Sequence, residues 1–122
     1  MIRQLILVGL GGGIGSIFRF LVSRMIPFAQ GSFPWATFIV NITGCLIIGL
    51  LIGLSFKHSF LDEDMKLLFV AGFCGGFTTF STFSLENVHL YQSGNYLALF
   101  LYISLSVIIG FAAVLLGLAL SK

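Results

Sequence analysis

The densest run of chemistry-bearing residues is Gly72-Phe73-Cys74-Gly75-Gly76-Phe77-Thr78-Thr79-Phe80-Ser81-Thr82-Phe83-Ser84-Leu85-Glu86. Adjacent glycines followed by two threonines make a poor continuous helix. The expectation is therefore a helix broken near Gly75–Thr79, at the Gly75-Gly76 pair. Within a bilayer, non-helical backbone is tolerated only where it lines a cavity or is buried in protein. Unwound carbonyls of this kind can hold a cation. Downstream, Thr79, Thr82, Phe83 and Glu86 fall at i, i+3, i+4 and i+7, with Phe80 about 60° from Phe83 around the axis. Hydroxyls, an acid and two aromatic rings thus face one way, as a transport pathway would require. The competing reading makes Phe73, Phe77, Phe80 and Phe83 packing residues, and a chain with 14 phenylalanines gives that reading weight.

Three further sets of polar residues sit in apolar surroundings. Thr37, Asn41 and Gly44 are spaced by four and three, on one helical face. Asn41 is either an interhelical hydrogen-bonding residue or an amide offering N–H donors to a pathway. Tyr102 and Ser106, with Gly110 at the same interval, make a short polar track, although a serine in a membrane helix often bonds its own i−4 carbonyl. Arg19 either snorkels to water or lines a wet vestibule that attracts anions. Gly9/Gly13, Gly11/Gly15 and Gly12/Ser16 are overlapping small-xxx-small pairs that let helices approach closely. No register of that run gives the spacing of a dinucleotide loop.

Other residue types exclude other chemistries. Cys45 and Cys74 stand singly in apolar runs without the spacing of a zinc or redox motif, and read as inert buried thiols. His58 and His89 form no ligand cluster, and Asn41-Ile42-Thr43 lies too deep in a span for glycosylation. There is no nucleophile–base set, metal cluster or phosphate loop, so the chain reads as a protein that is not an enzyme. Nothing points to nucleic acid.

The elements that must carry these residues follow from composition. Of 122 residues, 58% are hydrophobic and only 8% charged, with a mean hydropathy of +1.13. A soluble domain normally carries about a quarter charged residues, so the lipid bilayer is the fitting solvent. A spanning helix needs about 20 apolar residues. Four stretches qualify, at 5–26, 35–56, 65–91 and 96–120, which predicts an all-α membrane protein with a single four-helix transmembrane domain over 1–122. The first stretch is too long for a signal-peptide core and lacks a cleavage site. Arg3, Lys57, Lys66 and Lys122 fall on the terminal side, against Arg19 and Arg24 on the other. That weak bias leaves orientation open and permits insertion both ways round.

The third-stretch string, followed by Glu86, closely resembles the signature of the Fluc (CrcB) fluoride channels. Gly11-Gly12-Gly13-Ile14-Gly15 with Arg19-Phe20 is similar to that family's first-helix motif, and Asn41 with Gly44 to its second. The resemblance covers nearly the whole chain. It implies a multi-pass protein of the bacterial plasma (inner) membrane that exports fluoride passively and relieves its toxicity. It further implies an antiparallel, dual-topology homodimer with two pores. A structural sodium ion (Na+) would sit at the dimer centre, on the backbone carbonyls of Gly75 and Thr78. Phe80 and Phe83 match the paired pore phenylalanines. Asn41, Ser81, Thr82, Tyr102 and Ser106 match polar pore-side positions, joined by Thr79 and Glu86 of the stripe, and Arg19 matches a vestibule position. Two positions depart from the pattern: Ser16 stands where alanine is usual, and Gly110 has no hydroxyl to extend the fourth-helix track.

The chemistry is coherent. Fluoride holds its water tightly, so a pore must substitute hydrogen-bond donors and the positive edges of aromatic rings. Glu86 would repel an anion if left bare, and is expected to be either hydrogen-bonded or protonated. Two other classes compete. A proton-coupled small multidrug exporter would need a carboxylate in the first helix, where there is none. An accessory membrane protein without transport leaves the broken helix unexplained.

Overall fold

The computed structural model describes residues 1–59 and 61–122, and among them every regular element is helical. Among the described residues four helical spans are long and apolar enough to cross a membrane: Ile2–Met25, Trp35–Ser55, Glu63–Gln92 and Tyr96–Ser121. The first two are continuous helices, α1 (Ile2–Met25) and α2 (Trp35–Ser55). The third is composite: α3 (Glu63–Lys66), a π-helical stretch (Leu67–Cys74), α4 (Gly75–Phe77) and α5 (Ser81–Gln92). The last is α6 (Tyr96–Ser121), whose start is capped by Asn95 Oδ1 accepting the N–H of Ala98. Asp62 caps α3 by accepting from the N–H of Met65.

The helices pair through missing side chains. α1 lies chiefly against the π-helical stretch and α4, while α2 lies chiefly against α6. A Cβ on Gly11 or Gly15 would strike the backbone of the third span at Leu68, Gly72, Phe73 and Phe77. A Cβ on Gly76 would strike Gly12. On the other side of the bundle, Gly49 and Gly53 of α2 meet Val114, Gly117 and Ser121 of α6. Lipid tails are as apolar as leucine, so membrane helices associate through this close backbone packing. Gly9 and Gly13 do not take part, since nothing lies within 4 Å of where their Cβ atoms would be.

The surface carries the signature of the solvent. Leu5, Ile6, Leu10, Ile14, Ile17 and Phe18 of α1 are exposed, as are Phe100, Ile108, Phe111, Leu115 and Leu120 of α6. The chain is a multi-pass membrane protein, and lipid is the fitting solvent for an apolar surface of this kind. The small interior gathers Leu90, Ala98 and Tyr102, walled by Phe33, Phe38, Phe83 and Leu99. At the same end of the bundle, Asn95 Nδ2 donates to the Gly31 carbonyl at 2.7 Å and ties the two loops together. Gly31 has φ +82, a conformation glycine adopts without penalty. At the opposite end, Arg3 pairs with Asp64 at 2.6 Å.

Candidate functional site: an interrupted helix pinned by an amide

The third span does break, but not at its glycine pair. Gly75 is helical (φ −62, ψ −39), and Gly75 and Gly76 belong to α4. The chain leaves the helix at Thr78 (φ −86, ψ 160) and re-enters it at Ser81. The expectation of unwinding at Gly75-Gly76 is corrected by close packing: Gly76 is there to admit the backbone of α1 at Gly12, not to loosen its own helix. The preceding π-helical stretch was not foreseen; such segments occur frequently at functional sites.

What ends the helix is side-chain competition for backbone groups. Thr78 Oγ1 donates to the Cys74 carbonyl at 2.8 Å, alongside the N–H of Thr78 itself at 3.0 Å. The N–H of Thr79, which would otherwise bond Gly75 one turn back, donates to Asn41 Oδ1 at 2.8 Å. Asn41 Nδ2 donates to the Thr79 carbonyl at 3.1 Å. One amide thus pairs with both backbone groups of one residue, as a neighbouring strand would. Thr79 Oγ1 then accepts the N–H of Thr82 at 3.1 Å and covers an otherwise orphaned donor at the start of α5.

The carbonyl at the end of α4 has partners of its own. Gly76 O accepts from Arg19 Nε at 3.1 Å and from Ser16 Oγ at 3.5 Å. A cation at a helix C-terminus opposes its partial negative charge. Arg19 is half-buried, with its Nε anchored on the Gly76 carbonyl just before the break. Gly12, Ser16 and Arg19, at i, i+4 and i+7 on α1, make one seat for Gly76.

Beyond the break, Glu86 is held on both oxygens. Thr37 Oγ1 donates to Oε2 at 2.9 Å and Tyr102 Oη donates to Oε1 at 2.8 Å. Glu86 is thus hydrogen-bonded at both oxygens, with α2, α5 and α6 each supplying one member of the cluster. Tyr102 is 0% exposed, so its single proton is directed to Glu86 and is not offered to a cavity. Phe83 lies against the Tyr102 ring at 4.8 Å between centroids, and Phe80 against Phe83 at 5.9 Å.

Two cavities flank this assembly. The larger, about 620 Å³, is lined by Asn41, Gly75, Thr78, Thr79, Phe80, Phe83 and Ser106 among others. The smaller, about 170 Å³, is lined by Thr37, Thr82 and Glu86 with Trp35 and the 27–34 loop. Ser106 Oγ is buried and makes no hydrogen bond among the described residues, so it does not back-bond to its own helix as a membrane serine often does. Ser81 is exposed, with its Oγ 3.4 Å from Thr79 Oγ1, and lines neither cavity. Thr37 is the functional-site residue whose task was not assigned from sequence. Its shared face with Asn41 was the available signal.

The fold and site define a class: a multi-pass helical membrane protein with one interrupted span, beside which polar and aromatic side chains gather. The family described as CrcB-like protein, Camphor Resistance (CrcB), matches residues 6–118. The fluoride-specific ion channel FluC of Azobacteroides pseudotrichonymphae genomovar. CFP2 is 56% identical over 123 residues, spanning 100% of this chain and 98% of that protein. The FluC proteins of Flavobacterium psychrophilum (46%, 98% of each chain) and Phocaeicola vulgatus (45%, 98% of this chain and 99% of that protein) are also similar. The chain belongs to the CrcB family, whose curated relatives are named as ion channels and not as enzymes.

Proposed function

We propose that this protein is a fluoride channel that lets the ion leave the cytoplasm passively, through the bacterial inner membrane. The observation that carries the reading is the large cavity, where Phe80 and Phe83, the Asn41–Thr79 junction and an unpartnered Ser106 hydroxyl stand together.

The mechanism follows from what each group has left to give. Asn41 has one N–H on Thr79 and a second to offer an anion. The Ser106 hydroxyl is free to donate. The edges of Phe80 and Phe83 carry the positive part of the ring quadrupole. These weak donors replace water around a small anion, and the apolar walls leave larger anions without a full set. In this reading Tyr102 and Thr37 act indirectly, by holding Glu86 so that its charge is offset beside the path.

The working unit is an antiparallel, dual-topology homodimer with two pores. Phe80 is 79% exposed in the single chain, and Gly75 has open space around it, which suits a surface completed by a second copy. Sodium fits the centre of that dimer. The Thr79 N–H is turned to Asn41, which frees the Gly75 carbonyl from its helical donor, and Thr78 lies at the interruption itself. Gly75 and Thr78 would hold the ion through main-chain oxygens, where it joins the subunits and raises the potential felt by anions. Density for a cation on those oxygens is expected in a structure of the dimer. Protein-bound waters alone at that place would remove sodium from the account.

The test of the path is substitution at its rings. Phe80→Ile and Phe83→Ile are expected to lower fluoride efflux from liposomes while dimers still assemble, as read by size-exclusion chromatography. Full efflux in both variants would return the rings to packing.

A further inference from the structure

The two cysteines, read from sequence as separate and inert, are brought to one place. α2 and the third span run antiparallel, and their register is fixed by Asn41 on Thr79 and by Gly44 against Thr78 and Phe77. One turn further along α2, and one turn back along the third span, that register sets Cys45 across the seam from Cys74. Both thiols line the 620 Å³ cavity and both are free. Neither makes a hydrogen bond among the described residues. Cys45 Sγ lies beside Gly110, 3.6 Å from where a Cβ would stand, so that position of α6 puts no side chain against the sulfur.

We propose that Cys45 and Cys74 form a two-thiol site for a soft, two-coordinate divalent ion of the mercuric class. Soft ions select thiolate sulfur, and two-coordinate ions need no third ligand. Among the described residues no group of three histidine, cysteine or acidic side chains could hold a metal, so ions demanding four ligands are excluded here. Charge then chooses between the remaining soft ions. A divalent ion displacing two protons leaves a neutral S–Hg–S unit, with one proton released from each thiol. A monovalent ion on the same two thiolates leaves a net negative charge in a cavity walled by Ile48, Val70, Ala71 and Phe111, which burial penalises. The bound ion staples α2 to the third span just before its interruption and occupies the space in front of Phe80 and Phe83.

The binding half of this proposal is independent of the channel reading; the occlusion half rests on it. Purified full-length protein titrated with mercuric chloride is expected to take up one ion per chain. Both free thiols, counted with a chromogenic disulfide, should disappear together. The ion should resist a monothiol such as glutathione and yield to a dithiol. Cys45→Ser and Cys74→Ser should each lose that resistance while still eluting as the wild type does. Two ions per chain, or a single variant that holds mercury as firmly as wild type, would overturn the site. In liposomes, mercury should reduce wild-type fluoride efflux toward that of protein-free vesicles, and each variant, after a monothiol wash, should return to its own untreated rate. Mercury bound at one per chain with efflux unchanged would overturn occlusion. Absence of efflux before treatment would instead refute the channel reading and leave the thiol counts to decide the site.

Discussion

At the scale of single residues, Asn41 carries more of the site than its type suggests. Its amide replaces a helical neighbour for Thr79, taking the N–H at 2.8 Å and serving the carbonyl at 3.1 Å. Asn41→Leu would leave both backbone groups unpaired, at a cost of about 1–3 kcal/mol each. We expect lower thermal stability in detergent together with lost fluoride efflux; normal values of both would mean that Thr79 holds the interruption alone. Tyr102 makes a second test. Tyr102→Phe keeps the ring against Phe83 and removes one of two donors to Glu86, so a loss of about 1–3 kcal/mol is expected in an unfolding titration. Flux should fall with it, because an acid with a single donor repels anions more strongly. Unchanged flux would separate Glu86 from the path.

At the scale of elements, the third span divides what was legible from what was not. Four apolar stretches announce four spans because the bilayer demands about 20 apolar residues of any crossing helix. The helical face of Thr37 and Asn41 was equally plain, since spacing alone sets it. The interruption begins at the far end of the expected Gly75–Thr79 range and not at its glycine pair, because such a pair has two uses, loosening a helix or admitting a neighbour, and local sequence does not choose between them. The neighbour here is the backbone of α1 at Gly12, a partner 64 positions away in the chain from Gly76. The same ambiguity hid which first-helix glycines pack. Gly15→Ala is expected to destabilise by about 1–3 kcal/mol or more, since its Cβ would meet the rigid Phe73 carbonyl and Phe77 N. Gly9→Ala should stay within about 0.5 kcal/mol, having nothing within reach. Thermal unfolding of the two variants side by side checks the pair, and equal losses would contradict the assigned packing faces.

At the scale of the whole molecule, exposed rows of leucine, isoleucine and phenylalanine suit the chain to lipid, while a mostly apolar seam with a few polar groups runs between α2, the third span and α6. The seam is asymmetric. One end is closed by the Thr37–Glu86–Tyr102 cluster under the aromatic residues of the loops, and the other opens beside the exposed Phe80. In the channel we propose, such a path would have its donors on one chain and its rings toward a second copy, so that channel would need a dimer. The most direct measurement is fluoride efflux from liposomes holding the purified wild-type protein, read with a fluoride electrode, beside chloride efflux from the same preparation. Rapid release of fluoride with chloride retained is the result predicted here. Fluoride release no faster than from protein-free liposomes, or chloride passing equally well, would contradict it.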